Sequence, residues 1–157
     1  MKQAIWFGMT LSIMLACGAP QQSSESLSES IRSYNEGIRW GRFEVAATRI
    51  PAPERGRFVD EMDERADDLK ITEYDVVRVE LRGAREAQVQ IKMAWYLDSE
   101  GTLRETHAIQ TWARRGKTWL MVEEERVRGA EMPGLPEPVE ESPSRGGAGT
   151  PVSVGPS

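Results

Sequence analysis

Apolar residues between positions 27 and 70 recur at helical spacing, and those from about position 71 onward recur at every second place. Leu27, Ile31, Tyr34 and Ile38 lie four, three and four apart, which puts them on one stripe of a helix. Ser24 or Ser26 is placed to cap its start, with Glu29 three residues after Ser26. Gly37 and Gly41 bracket "IRW" and mark where that helix ends or bends. "RFEVAATRI" repeats the stripe through Phe43, Ala46, Ala47 and Ile50. Pro51 and Pro53 then stop it, because the residue before a proline is pushed out of the helical region. A third helix, "ERGRFVDEMDERADDLK", is expected to bury Val59, Met62, Ala66 and Leu69, with Phe58 nearby and its carboxylates in water.

The period then changes to two. "YDVVRVEL" alternates through Val77, Val79 and Leu81, and "RGAR" turns the chain. "EAQVQIKMAWYL" alternates through Ala87, Val89, Ile91, Met93, Trp95 and Leu97, the most regular strand pattern in the sequence. "DSEG" closes a hairpin into a third strand of mixed polarity, "TLRETHAIQTWAR", and "RRGK" leads to a fourth, "TWLMVEEERV". A two-residue turn at Arg115 and Gly116 would set Trp112 opposite Trp119. Strands joined by hairpins make an antiparallel sheet. The expected class is therefore α+β, with two to three N-terminal helices covering one face of a curved four-stranded sheet.

This order of elements resembles the nuclear transport factor two-like superfamily, the cystatin-like cone fold shared with ketosteroid isomerase and SnoaL-like polyketide cyclases. The resemblance runs from about Leu27 to Glu125, through "SIRSYNEGIRWGRFEVAATRI", "PERGRFVDEMDERADDLKITEYDVVRVEL" and the closing hairpin "THAIQTWARRGKTWLMVEE". The "ITEYDVVRVEL" entry is also similar to small bacterial lipoproteins that carry this domain. None of these passages is a catalytic motif, so the resemblance implies a fold and not an activity.

The two ends differ from the middle. Lys2 is followed by the uncharged run Ala4–Ala16, which as a helix spans about 20 Å, short of the ~30 Å hydrocarbon core. Its length suits a signal peptide. "MLACG" resembles the Leu-x-small-Cys pattern of bacterial lipoprotein signals, with Met14 where leucine is commoner and Ala16 just before Cys17, the one cysteine of the chain. The resemblance implies a diacylglyceryl thioether, palmitate-type acylation at Cys17, and a mature chain that begins there. Gly18, not being aspartate, points to the outer membrane rather than the inner. Acyl chains at ~0.8 kcal/mol per buried methylene then hold the protein to the bilayer. The expected organisation is signal peptide 1–16, lipidated Cys17 and Ser-rich spacer 17–26, domain 27–128, and a disordered Pro/Gly/Ser-rich acidic tail 129–157.

A formal net charge of -5, with arginines interleaved among carboxylates, argues against nucleic acid as a partner. With Cys17 committed to lipid, no metal site and no cofactor are expected. "DEMDERADD" lacks the Asp-x-Asp-x-Asp-Gly turn of a calcium loop and fans its carboxylates around a helix. His107, the sole histidine, shares a strand face with Glu105, which makes these two the weak catalytic candidates. Isomerase-like chemistry needs a carboxylate base and acidic donors in a dry cavity. Tyr34, Asp75, Tyr96 and Glu105 supply the types, but no spacing singles out a set. Trp95, Trp112, Trp119 and Tyr34 are candidate ligand or partner contacts, as pocket lining or, for Trp112 and Trp119, as anchors on the outer sheet face. Against this stands simple core filling. The residues favour a non-catalytic envelope module for a protein partner, a second copy or a small apolar ligand; an isomerase, dehydratase or hydrolase working inside the cone is the alternative. A carboxylate-bearing cavity would favour the enzyme, and a filled interior with Trp112 and Trp119 exposed would favour the module.

Overall fold

The computed structural model describes residues 26–137. The expected signal peptide, Cys17 and the end of the tail lie outside the described residues. Helix α1 (Leu27–Arg39) starts where expected: the Ser26 side chain accepts a hydrogen bond from the Glu29 backbone N–H at 3.2 Å. After Gly41, α2 (Phe43–Ala47) is a short segment that buries Phe43, Ala46 and Ala47, and Ile50 is buried just beyond it. Pro51 precedes a 3₁₀ turn (Ala52–Glu54), which leads into α3 (Arg55–Ala66).

Gly37 does not end α1 but allows α2 to dock on it. A β-carbon there would sit 2.9 Å from both the Ala46 Cβ and its backbone nitrogen. Replacing Gly37 with alanine should therefore destabilise the domain by about 1–3 kcal/mol, an overpacking cost that outweighs the ~0.5–1 kcal/mol helix gain. Denaturant unfolding checks this.

Four strands follow: β1 (Leu69–Leu81), β2 (Glu86–Leu97), β3 (Arg104–Arg115) and β4 (Thr118–Gly129). They form one antiparallel sheet in the order β1-β2-β3-β4, curved and unclosed, with the helices on its concave face. The α+β class expected from the sequence is thus the one observed. Ala87, Val89, Ile91 and Met93 of β2 meet Ile31, Tyr34, Ala46 and Ile50 of the helical layer, with Ala108, Trp112, Trp119 and Met121 completing the core.

Several expectations are corrected. Leu69 belongs to β1 rather than to the third helix, and although it is buried, no residue of α3 is. The reason is a cavity beneath α3, at whose edge Phe58 and Met62 stand. Val76, Val77, Val79 and Leu81 are exposed, because β1 is an outermost strand and extends beyond the cover of the helices. Trp112 faces Met121, and Trp119 faces Arg114. The β3–β4 turn falls at Gly116 and Lys117, one residue later than expected, because Gly116 supplies the positive φ (62°) at the first turn position. The chain after β4 also stays packed: Met132 and Leu135 lie on the core, and the Arg126 backbone N–H donates to the Pro136 carbonyl at 2.7 Å. Apolar burial thus carries the packed region past the expected boundary at 128, into residues expected to be disordered.

Candidate functional site

The cavity beneath α3 has a volume of about 260 Å³. Ile38 of α1, Phe58 and Met62 of α3, Met93 of β2, Met121 of β4 and Leu135 form its apolar walls. Glu54, Arg57, Glu61 and Arg65 stand around it on the helical side. Arg65 pairs with Glu61 at 3.1 Å, and Arg57 approaches the same carboxylate at 3.9 Å. Methionines and a hinged-over C-terminal segment make a wall that adapts to irregular apolar shapes.

Two further lining residues, Tyr34 and Glu124, belong to a buried polar network. The Tyr34 hydroxyl donates to Glu124 Oε2 at 3.1 Å, and Gln110 Nε2 donates to Glu124 Oε1 at 2.8 Å and to Asn35 Oδ1 at 3.0 Å. Asn35 Nδ2 donates to the Ile31 carbonyl at 2.8 Å and approaches Gln110 Oε1 at 3.4 Å, while the Trp112 indole N–H reaches that same oxygen at 3.3 Å. The ring of Trp112 stands edge-on to Tyr34 with centroids 6.0 Å apart, which fixes the phenol in place. Every polar group of this network has a partner, as its buried setting demands.

Burial raises the Glu124 pKa above the ordinary carboxylate value, against the hydrogen bonds from Gln110 and Tyr34 that hold it down. Burial also raises the Tyr34 pKa well above its usual value, and the charge of Glu124 pushes it further the same way. Tyr34 therefore stays a neutral donor. Each Glu124 oxygen accepts one protein hydrogen bond and keeps a lone pair for a donor in the cavity.

Glu124 reaches this position through a bulge, whereas Gln110 follows the plain alternation of β3 with Thr106, Ala108 and Trp112. Strict alternation from Trp119 and Met121 would turn Glu123 inward. The register instead shifts between Thr111 and Trp112, so that Trp112 faces Met121 while Gln110 faces Glu124. Val122 is the extra residue, and Glu124 swings to the core side. "VEEERV" reads as a solvated acidic run, so Glu124 does not stand out in the sequence. The available signals are Gln110, a polar residue between Ala108 and Trp112 at period two, and Asn35, a polar residue four positions after Ile31 beside the apolar stripe of α1.

Of the four aromatic candidates, only Tyr34 lines the cavity. Trp112 and Trp119 are 0% and 6% exposed on the inward face, where they fill the core and are not anchors on the outer sheet face. Both stand on the face of β3 and β4 that the helices cover, in the cluster with Ile31, Tyr34, Ala108 and Met121. Trp95 is fully buried, its indole N–H donating to Thr106 Oγ1 at 2.8 Å. His107 and Glu105 do come together, with Nε2 3.1 Å from Oε1, but on the opposite, outer face of the sheet. Glu105 is 57% exposed there, and Lys92 and Arg128 flank the pair. Asp75 is likewise exposed and bound to Lys92 at 3.0 Å, and Tyr96 is half-buried and does not line the cavity. Among the described residues no group of His, Cys, Asp and Glu side chains has the arrangement of a metal site, and no helix is long and apolar enough to cross a membrane.

No protein-family model matches the chain, and no curated protein matches it. Among solved structures the chain is similar to the solution structure of a SEC-C motif containing protein from Rhodopseudomonas palustris, at 17% identity and a TM-score of 0.58. The match covers 68% of this chain and 83% of that one, and at this identity it is a likeness of α+β fold alone.

Proposed function

We propose that this chain is a lipid-anchored envelope protein whose domain, a member of the nuclear transport factor two-like cone superfamily, binds a small apolar ligand bearing one hydrogen-bond donor. The observation that carries the binding reading is the cavity whose apolar walls meet one carboxylate, Glu124, that is held by Tyr34 and Gln110 and keeps lone pairs to spare, while Glu54 and Glu61 stand on the helical side with Arg57 and Arg65. At about 260 Å³ it lies just below the ~300–1,000 Å³ of drug-sized sites, which selects a compact ligand. With Trp112 and Trp119 both buried, recognition moves from the outer sheet face to the interior. The anchor rests on the "MLACG" pattern around Cys17 and the spacer after it.

A second reading, an enzyme of the isomerase, dehydratase or hydrolase type, is the one that a carboxylate-bearing cavity favours over a filled interior with exposed tryptophans: a carboxylate of raised pKa beside a neutral tyrosine hydroxyl is the pairing that proton-transfer enzymes use inside cavities. Native mass spectrometry of the full chain released from membranes should show a bound small molecule of constant mass. Recovery of a substrate together with its isomer or dehydrated product favours the enzyme, and a chain free of any ligand contradicts both readings. For the anchor, Cys17→Ser should abolish metabolic labelling by palmitate; unchanged labelling sinks the lipoprotein account.

A further inference from the structure

The two hairpin tips at one end of the sheet concentrate positive charge in an otherwise acidic protein. Arg82 and Arg85 flank the β1–β2 turn, and Arg114 and Arg115 precede the β3–β4 turn, with Glu86 the acidic residue among them. The Arg114 backbone N–H donates to the Arg85 carbonyl at 2.8 Å, which locks one tip against the other. Arg85, Arg114, Arg115 and Gly116 then line a common hollow of about 400 Å³.

Elsewhere five arginines are matched by carboxylates, Arg57 and Arg65 with Glu61, Arg78 with Glu80, Arg104 with Glu100, and Arg126 with Glu137, while Arg55 and Arg82 donate to neutral oxygens. Among the described residues, Arg85, Arg114 and Arg115 have no carboxylate within ion-pair distance. The Arg114 Nε–H is moreover buried with no hydrogen-bond acceptor, an arrangement native proteins seldom leave uncompensated. Three like charges around one hollow repel each other, and an anion there relieves the repulsion.

We propose that the paired hairpin tips form a binding site for a phosphate-type oxyanion, held by the guanidinium forks of Arg85, Arg114 and Arg115. Phosphate fits better than carboxylate, because its tetrahedral oxygens accept from several forks at once, whereas a carboxylate saturates on one. The same chemistry is offered by free phosphate or pyrophosphate and by the headgroup of an anionic phospholipid. This site lies apart from the apolar cavity, shares none of its lining residues, and does not depend on what that cavity binds.

The test has two arms on the full chain. Calorimetric titration with inorganic phosphate and pyrophosphate, against acetate, measures the free anions. Flotation with phosphatidylcholine vesicles, with and without phosphatidylglycerol, measures the headgroup as the increment that the anionic lipid adds. Arg85→Gln/Arg114→Gln/Arg115→Gln should weaken binding at least ~10-fold in whichever arm shows it, and Arg78→Gln should leave it unchanged. The double variant Arg85→Gln/Arg115→Gln, confined to exposed side chains, serves if loss of Arg114 disturbs the fold; it should also weaken binding. Glu86→Gln should tighten it. Binding in the pyrophosphate arm alone identifies a free-anion site, and a phosphatidylglycerol-dependent increment identifies the headgroup. Equal binding by the wild-type and substituted chains, acetate binding as strong as pyrophosphate, or no anion dependence in either arm overturns the proposal.

Discussion

Replacing Trp112 with alanine is expected to lower the unfolding free energy by about 3–5 kcal/mol, measured by denaturant titration. Trp112 is fully buried on the concave face, opposite Met121 and edge-on to Tyr34, so its removal leaves a void where three elements meet. The truncation also takes away one donor to Gln110 Oε1. Since a domain of this size has only about 5–15 kcal/mol of stability in total, the variant should sit near the edge of folding. A loss below about 1 kcal/mol would mean that the site collapses freely and that Trp112 is not the packing centre described.

A second large effect is expected at Gln110, whose side chain joins Asn35, Glu124 and Trp112. Gln110→Leu keeps the volume but leaves all three without this partner, and at neutral pH it should cost about 3–5 kcal/mol, as breaking a buried charged network does. The pH dependence identifies the cause. The Glu124 pKa in the folded protein lies above its ordinary value of 4.5, so the protonated form is the one the fold favours. Its contribution to stability is complete below 4.5 and is lost as pH rises through the folded value. Without the Gln110 donor the folded value moves higher still. The deficit of Gln110→Leu relative to wild type should therefore be greatest at neutral pH and shrink in acid. A deficit independent of pH would show that lost packing, and not the orphaned carboxylate, is responsible.

Most of the architecture is legible in the sequence because it depends on periodicity. The stripe of Leu27, Ile31, Tyr34 and Ile38 and the alternation from Ala87 to Trp95 each state which face is buried, and the helices and strands appear where these patterns run. What the sequence leaves out are departures from period. One extra residue, Val122, turns Glu124 inward and creates the polar floor of the cavity, yet a bulge has no residue-type signature in "MVEEERV". The exposed valines of β1 mislead for a related reason. Alternation shows which face an edge strand presents to the sheet, but not whether a helix reaches far enough to cover it. Tyr34 was readable as a core or pocket residue from its stripe and proves to be both, whereas His107 and Glu105 were correctly paired but fall on the wrong side of the sheet for the cavity.

The claim that Glu124 gives the apolar cavity its selectivity is tested most directly by titrating the full chain with 2-naphthol and, separately, with naphthalene. The readout is the methyl resonances of Met93 and Met121 in the cavity wall. The two probes share an apolar body and differ by one hydroxyl donor. The prediction is that both shift these resonances, that 2-naphthol binds at least ~10-fold more tightly, and that Glu124→Leu removes the difference. Equal affinities for the two probes in the wild-type chain, or shifts that bypass Met93 and Met121, would contradict it.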